Sequence, residues 1–284
     1  MTDRIKRFFE RRRQIDSQTR SLEQIPALTC NANPLRILTN KELAKIFNCP
    51  ETQQEWTQSE VSLKRACQIE DGKTDGVNPG DRRAVWYLIK GLRATSVLEI
   101  GTNVGASTVH VASALQSTGR QDSSISPRLV TVDVQDVNSD VSGIWKERGL
   151  TASPREMIQA IGCDDFVSFV TEKSLTYFDR CKHGFDFIFL DGDHSAVTVY
   201  QEIPRALNVL KRDGVILLHD YFPRNRPIWV NGSLVAGPYI GTSRLRREGV
   251  PIKVVPLGKL PWPTKLGSRT TSLALVTRDS ENSR

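Results

Sequence analysis

The chain has 284 residues, 38% hydrophobic and 25% charged, with a formal net charge of +7. This composition excludes a disordered chain, and the length is ample for an α/β domain of about 200 residues plus a smaller appendage. The sequence has no apolar run of about 18 residues, so no membrane-spanning helix is expected, and its start, MTDRIKRFFERRR, has no apolar centre of a signal peptide. A cytoplasmic protein is the expectation. The five cysteines, Cys30, Cys49, Cys67, Cys163 and Cys181, contain no C-x-x-C pair and are odd in number, which speaks for reduced thiols rather than a zinc site or disulfide framework. The first 20 residues hold seven Arg or Lys against three Asp or Glu. Such a run is either a solvated helix face or a surface for an anionic partner.

Residues 1–24 place Ile5, Phe8, Phe9 and Ile15 at roughly helical spacing. Thr39-Asn-Lys-Glu42 reads as a capping box ahead of Leu43, Ile46 and Phe47. A further helix is predicted from about Glu55 to Ile69, and the glycines and proline of Asp71–Gly80 end it. Residues 1–75 are therefore expected to form a helical appendage, a lid or an element of a homo-oligomer, with the catalytic domain at 76–284. Beyond Asn78-Pro79-Gly80, residues Ala84, Val85, Leu88, Ile89 and Leu92 share one helical face. Five strands are predicted, at Ser96–Ile100, Leu129–Asp133, Phe166–Val170, Phe185–Leu190 and Gly214–Leu218, with helices at Val104–Gln116 and Ser195–Leu210. Strands alternating with helices imply a doubly wound, parallel α/β sheet. Ile252–Pro256 and Ser272–Thr277 read as a closing antiparallel pair, and Ser117–Ser126 as a surface loop.

The first candidate site is Glu99-Ile-Gly101-Thr102-Asn-Val-Gly105-Ala-Ser107-Thr108. Gly101 permits a sharp turn where a side chain would block a ligand, and Gly105 permits close backbone approach at a helix start whose amides suit an anionic group. Asp133 ends the second strand, where a carboxylate can accept both ribose hydroxyls of a nucleotide-like cofactor. The second and third candidates are Asp191-Gly-Asp193-His194 and His219-Asp220, at the ends of the fourth and fifth strands. Neighbouring parallel strands end on one sheet edge, so both groups should face the same cleft. Carboxylates and imidazoles gathered there can hold a divalent ion, which would make a substrate hydroxyl easier to ionise, and His194 suits a general base. Asp193 is either a substrate contact or a cap for the following helix.

Glu99-x-Gly101-x-x-x-Gly105 with Asp133 resembles the signature of class I S-adenosyl-L-methionine-dependent methyltransferases. DGVNPGDRRAVWYLIKGL and VLEIGTNVGASTVHVA, then FDFIFLDGDHS and GVILLHDY, resemble more narrowly the metal-assisted small-molecule O-methyltransferases, including macrolide-sugar O-methyltransferases and cephalosporin hydroxylase-like proteins. The resemblance spans roughly residues 76–222. It implies a Rossmann-like, seven-stranded, mostly parallel sheet in the order 3-2-1-4-5-7-6. It also implies S-adenosyl-L-methionine as cofactor, with Glu99, Gly101, Thr102, Gly105, Ser107, Thr108, Asp133 and Asp191 around it. Asp191, His219 and Asp220 would then hold magnesium or manganese, and His194 would act as base on a small hydroxylated substrate. Where some relatives carry a carboxylate, this chain has His219, and imidazole favours transition metals over magnesium. His219 therefore binds manganese or iron, acts behind the ligands, or orders the strand end.

A nucleic-acid substrate is not expected. The Asn/Asp-Pro-Pro-aromatic motif of base methylation is absent after the fourth strand, as is a basic platform interleaved with aromatics. A hydroxylase-like or other metal-dependent enzyme on the same scaffold, and a non-catalytic cofactor-binding protein, are the alternatives. Trp229, Tyr239 and Trp262 are candidate pocket walls.

Overall fold

Every side chain of Ser96–Ile100 is buried, the pattern of a strand covered on both faces. In the computed structural model, which describes residues 3–67, 76–121 and 126–279, this strand is β1 at the centre of the sheet. In chain order the elements are α1 (Asp3–Glu23), α2 (Asn40–Phe47), α3 (Pro50–Cys67), α4 (Pro79–Leu92), β1, α5 (Ala106–Gln121), β2 (Arg128–Asp133), α6 (Ile144–Glu147), α7 (Pro154–Ala160), β3 (Val167–Thr171), α8 (Ser174–Arg180), β4 (Phe185–Leu190), α9 (Ala196–Val209), β5 (Leu210–Leu218), α10 (Gly237–Arg247), β6 (Ile252–Pro256) and β7 (Ala274–Arg278). The seven strands run in the order β3-β2-β1-β4-β5-β7-β6. Only β7 pairs antiparallel with its neighbours, as the sequence predicts for the tail.

Side chains alternate along each strand, so the sheet has two cores. Val97, Phe187, Phe189, Val215 and Leu217 face one core, with α4, α5 and α7. Leu98, Ile100, Ile188, Leu190, Ile216 and Leu218 face the other, with α8, α9 and α10. The N-terminal segment joins both. Leu22 and Leu35 enter the core of α9 and α10, whereas Leu43, Phe47 and Trp56 enter that of α4 and α5. Leu35 also forms a β-bridge with Gly214.

Local chemistry sets the helix boundaries. Thr39 and Glu42 form the expected capping box of α2, an arrangement that contributes about 1 kcal/mol. Asn78 caps α4 with Pro79 in its first turn. The helix expected from Glu55 begins earlier, at Pro50, and is described to Cys67; its expected end at Ile69 lies outside the described residues, as does the first half, 71–75, of the glycine-containing break after it. Part of the expected Ser117–Ser126 loop is helix, because α5 continues to Gln121. Thr118 Oγ1 donates back to the Ala114 carbonyl and Ser117 Oγ to Glu55, so polar residues continue the helix by bonding inward. Of the remainder of that loop, residues 122–125 lie outside the described residues and Ser126 is exposed. Among the described residues, no helix is long and apolar enough to cross a membrane.

Candidate cofactor and metal site

The ladder hydrogen bonds of the parallel strands run one residue past the strands themselves. Gly101 N–H donates to Val132 O across 2.8 Å, Asp191 N–H to Ile100 O across 2.9 Å, and His219 N–H to Leu190 O across 3.1 Å. Gly101, Asp191 and His219 are thereby fixed side by side on one sheet edge, where ligands of open α/β sheets bind. Asp133 lies on the same edge, its carbonyl accepting from Glu172 N–H at 2.8 Å.

Gly101 has φ +98°, and a Cβ on it would stand 2.3 Å from the Asp191 main-chain oxygen. Only glycine accepts both conditions. Gly105 has φ +79°, and its added Cβ would stand 2.9 Å from Pro154 Cβ, so its close approach is to α7. Asn103, between the glycines, adopts φ 49° and donates its N–H to Asp133 Oδ2 at 2.9 Å; Gln135 N–H donates to Oδ1 at 3.0 Å. Beneath the turn, Glu99 Oε2 accepts from Thr108 Oγ1 at 2.6 Å and from Thr131 Oγ1 at 2.7 Å, and Thr131 in turn lies 2.6 Å from Thr102 Oγ1. Burial raises the Glu99 pKa to about 7, against the hydrogen bonds of Ser107, Thr108 and Thr131. Glu99, Thr102 and Thr108 are thus a buried frame that holds the glycine turn.

Two cavities meet at this edge. The larger, of about 580 Å³, runs from Gly101 and Asp133 past Val137 to Glu172 and Ser174. The smaller, of about 260 Å³, is walled by Ser107, Asp191, His194, His219 and Asp220. Gly101, Asn103, Asp191 and Gly192 line both. Sequence reasoning missed Asn103 and the Glu172–Leu175 segment. The signal for the latter was the end of the third strand, which falls on the same edge.

In the smaller cavity, His219 Nδ1 lies 2.7 Å from Asp191 Oδ1 and 3.7 Å from Asp220 Oδ1. His194 Nε2 lies 3.6 Å from Asp191 Oδ1 and 3.7 Å from Asp220 Oδ2. Burial disfavours a charged His219, but the Asp191 and Asp220 carboxylates outweigh it and raise its pKa well above the ordinary histidine value. Asp220 is held below the carboxylate range by His219 and His194 despite its burial. One donor atom from each of Asp191, His194 and His219 falls within a 4.8 Å group, and both His219 nitrogens are buried without a completed hydrogen bond. Orphaned imidazole nitrogens beside a carboxylate fit a divalent ion. Asp220 adjoins this group, and Ser272 Oγ donates to its Oδ1 at 3.2 Å.

Ser195 caps the start of α9, its side chain accepting from Thr198 N–H, and Asp193 braces that cap. Asp193 accepts from Ser195 N–H at 2.9 Å and from Thr198 Oγ1 at 2.6 Å. Trp229 and Trp262 line neither cavity. Trp262 Nε1 donates to Gly80 O at 2.8 Å, with its ring 4.7 Å from that of Tyr87, and Trp229 Nε1 donates to Thr270 O at 3.2 Å. Tyr239 packs against Tyr221, ring centroids 5.9 Å apart, and also lines neither cavity. His110 is buried against Trp56, and its burial lowers its pKa to about 3. His183 is exposed.

Residues 98–221 match a family model described as a methyltransferase domain. With the sheet order above, that stretch is similar to a methyltransferase domain. The match runs from within β1 to just beyond β5 and so contains the glycine turn, Asp133, Asp191, His194, His219 and Asp220. Among solved structures, the O-methyltransferase from Bacillus cereus in complex with SAH is 19% identical with a TM-score of 0.51, covering 93% of this chain and 100% of that one. The O-methyltransferase TomG from Streptomyces achromogenes, involved in tomaymycin synthesis and crystallised with SAM, is 14% identical with a TM-score of 0.50, covering 95% of this chain and 98% of that one. At such identities the likeness is one of fold. No curated protein matches the sequence.

Proposed function

We propose that this methyltransferase transfers the methyl group of S-adenosyl-L-methionine to a hydroxyl of a small metabolite, with a divalent ion assisting. The observation that carries this reading is the shared wall of the two cavities: Gly101, Asn103, Asp191 and Gly192 line both. A cofactor occupying the larger cavity thus adjoins an acceptor in the smaller. The catalytic domain is 76–284, with residues 1–75 as its helical appendage, and the protein is cytoplasmic.

The cofactor supplies an electrophilic sulfonium methyl, and a divalent ion supplies Lewis-acid charge that eases ionisation of a neighbouring hydroxyl. The protein's own residues do the rest. Asp133 holds the ribose hydroxyls, and the Gly101 turn leaves room for the methionine part. Asp191, His219 and Asp220 hold the ion. His194 Nε2 receives the acceptor proton as the new C–O bond forms and the C–S bond breaks. Keeping both reactants against one wall supplies much of the rate, because it removes the entropic cost of their encounter.

The 4.8 Å group of Asp191, His194 and His219 favours a second reading of His194, as a third ligand. Two imidazoles and one carboxylate suit iron and related ions, and with them hydroxylase-like chemistry on this scaffold. Labelled methyl transfer separates the two. With magnesium, manganese or iron added, label should pass from the cofactor to a hydroxylated acceptor, and His194→Ala should abolish transfer while S-adenosylhomocysteine still binds. Binding of NADH in place of S-adenosylhomocysteine, or of neither, would overturn the methyltransferase reading.

A further inference from the structure

Asp81, in the first turn of α4, is fully buried. A buried carboxylate is costly unless paired and hydrogen-bonded. The helix cap does not require its charge, because Asn78 Oδ1 accepts from the Asp81 main-chain N–H at 3.1 Å. The Asp81 side chain does two things instead. Its Oδ2 accepts from Asn78 Nδ2 at 2.7 Å and lies 3.5 Å from His219 Nε2, while its Oδ1 has no hydrogen-bond partner among the described residues.

The His219 imidazole therefore stands between two carboxylates, with Asp81 toward Nε2 and Asp191 toward Nδ1. The two sides are not equivalent. Asp191 and His219 line the smaller cavity, whereas Asp81 lines neither cavity and is closed off from solvent. One nitrogen thus faces the protein interior and the other faces the cavity. An imidazole that ligates a metal through one nitrogen needs the other to carry a proton, and a carboxylate accepting that proton fixes both tautomer and ring orientation.

We infer that Asp81 is the positioning residue of the metal centre: it holds His219 with Nε2 protonated toward α4 and presents Nδ1, beside Asp191, to a first-row transition ion in preference to magnesium. The preference follows from the donor, since imidazole suits such ions and magnesium favours oxygen. This inference rests on the metal-assisted reading above.

The test uses the full chain, zinc and magnesium as probe ions, and S-adenosylhomocysteine binding as an independent control. Calorimetric titration should show zinc binding tighter than magnesium. Asp81→Asn should weaken zinc about 10- to 100-fold and leave S-adenosylhomocysteine affinity unchanged. His219→Ala should remove the same zinc site, which distinguishes it from zinc taken up by cysteines. In the zinc-loaded wild type, long-range ¹H–¹⁵N spectra of the imidazoles should show His219 protonated at Nε2 and coordinated at Nδ1. That spectrum decides the matter alone if Asp81→Asn does not fold. Wild-type zinc affinity in Asp81→Asn, a proton on Nδ1 in the loaded protein, or magnesium binding tighter than zinc overturns the inference. Absence of zinc binding with S-adenosylhomocysteine binding intact also overturns it and leaves the methyltransferase reading standing.

Discussion

Gly101 and Asp191 meet backbone to backbone, so closely that a Cβ on Gly101 would fall 2.3 Å from the Asp191 carbonyl oxygen. The turn after β1 and the end of β4 are therefore a single unit. Gly101→Ala has no space to enter and must also adopt φ +98°, a conformation that costs about 1–3 kcal/mol for a residue with a side chain. The variant is expected to melt at a lower temperature and to lose S-adenosylhomocysteine binding, read by thermal denaturation and calorimetry. Retained affinity would mean that the ligand does not sit against this turn.

Asp133 already has a backbone N–H on each carboxylate oxygen, from Asn103 and Gln135. Asp133→Asn is therefore expected to fold and yet bind S-adenosylhomocysteine about 10- to 100-fold more weakly, because a hydrogen bond to a charged group contributes about 1.5–3 kcal/mol. Titration of the variant beside the wild type measures the loss. An unchanged dissociation constant would remove Asp133 from the cofactor site.

Glu202, on α9, gives a pH signature. Burial raises its pKa from 4.5 to about 8, and the Ser174 hydroxyl opposes only part of that rise. A carboxyl with a raised folded-state pKa contributes its full stability below 4.5, where it is protonated in both states, and loses it as pH climbs through about 8. Glu202→Gln does not ionise. It should match the wild type in melting temperature near pH 4.5 and exceed it increasingly toward pH 8. A constant offset at all pH values would count against a buried, titrating Glu202.

Arg244, on α10, ties the N-terminal segment to α9 and α10. Its guanidinium donates to the carbonyls of Leu22 and Ile25 and to Glu248, and it lies 4.5 Å over the Tyr200 ring. Arg244→Ala strands two carbonyls and is expected to cost about 1–3 kcal/mol. Hydrogen exchange should quicken around the end of α1 while S-adenosylhomocysteine affinity holds. Equal loss of protection throughout the sheet would show instead that α1 and the catalytic domain unfold together.

Much of the catalytic half was legible because its signals are local. The buried run Ser96–Ile100, the glycine turn after it, Asp133 at a strand end and the DGDH and HD pairs each lie within a few residues, and the parallel topology brings their ends to one edge. The capping box at Thr39 is local in the same sense. What escaped the sequence depends on distant partners. The sequence names Thr108 and Thr102 but not their partners: Thr108 donates to Glu99 and Thr102 bonds Thr131 beneath the turn, while Thr102 also lines the smaller cavity. Trp229 and Trp262 read as possible pocket walls; instead Trp262 packs on Phe47 and Tyr87, and Trp229 is held by Thr270 and Lys265 of the loop between β6 and β7. Nothing in the sequence around Asp81 marks it as a partner of the site. Its 3.5 Å approach to a histidine 138 positions later (219 − 81) exists only because α4 packs over the edge where β5 ends. Sequence by itself determined the strands, the turns after them and the chemistry at the strand ends, since periodicity and turn residues act over a few bonds; the strand order entered only as what the family resemblance implies. Tertiary structure decided which of those groups face a cavity and which face one another, since that depends on packing between segments far apart in the chain.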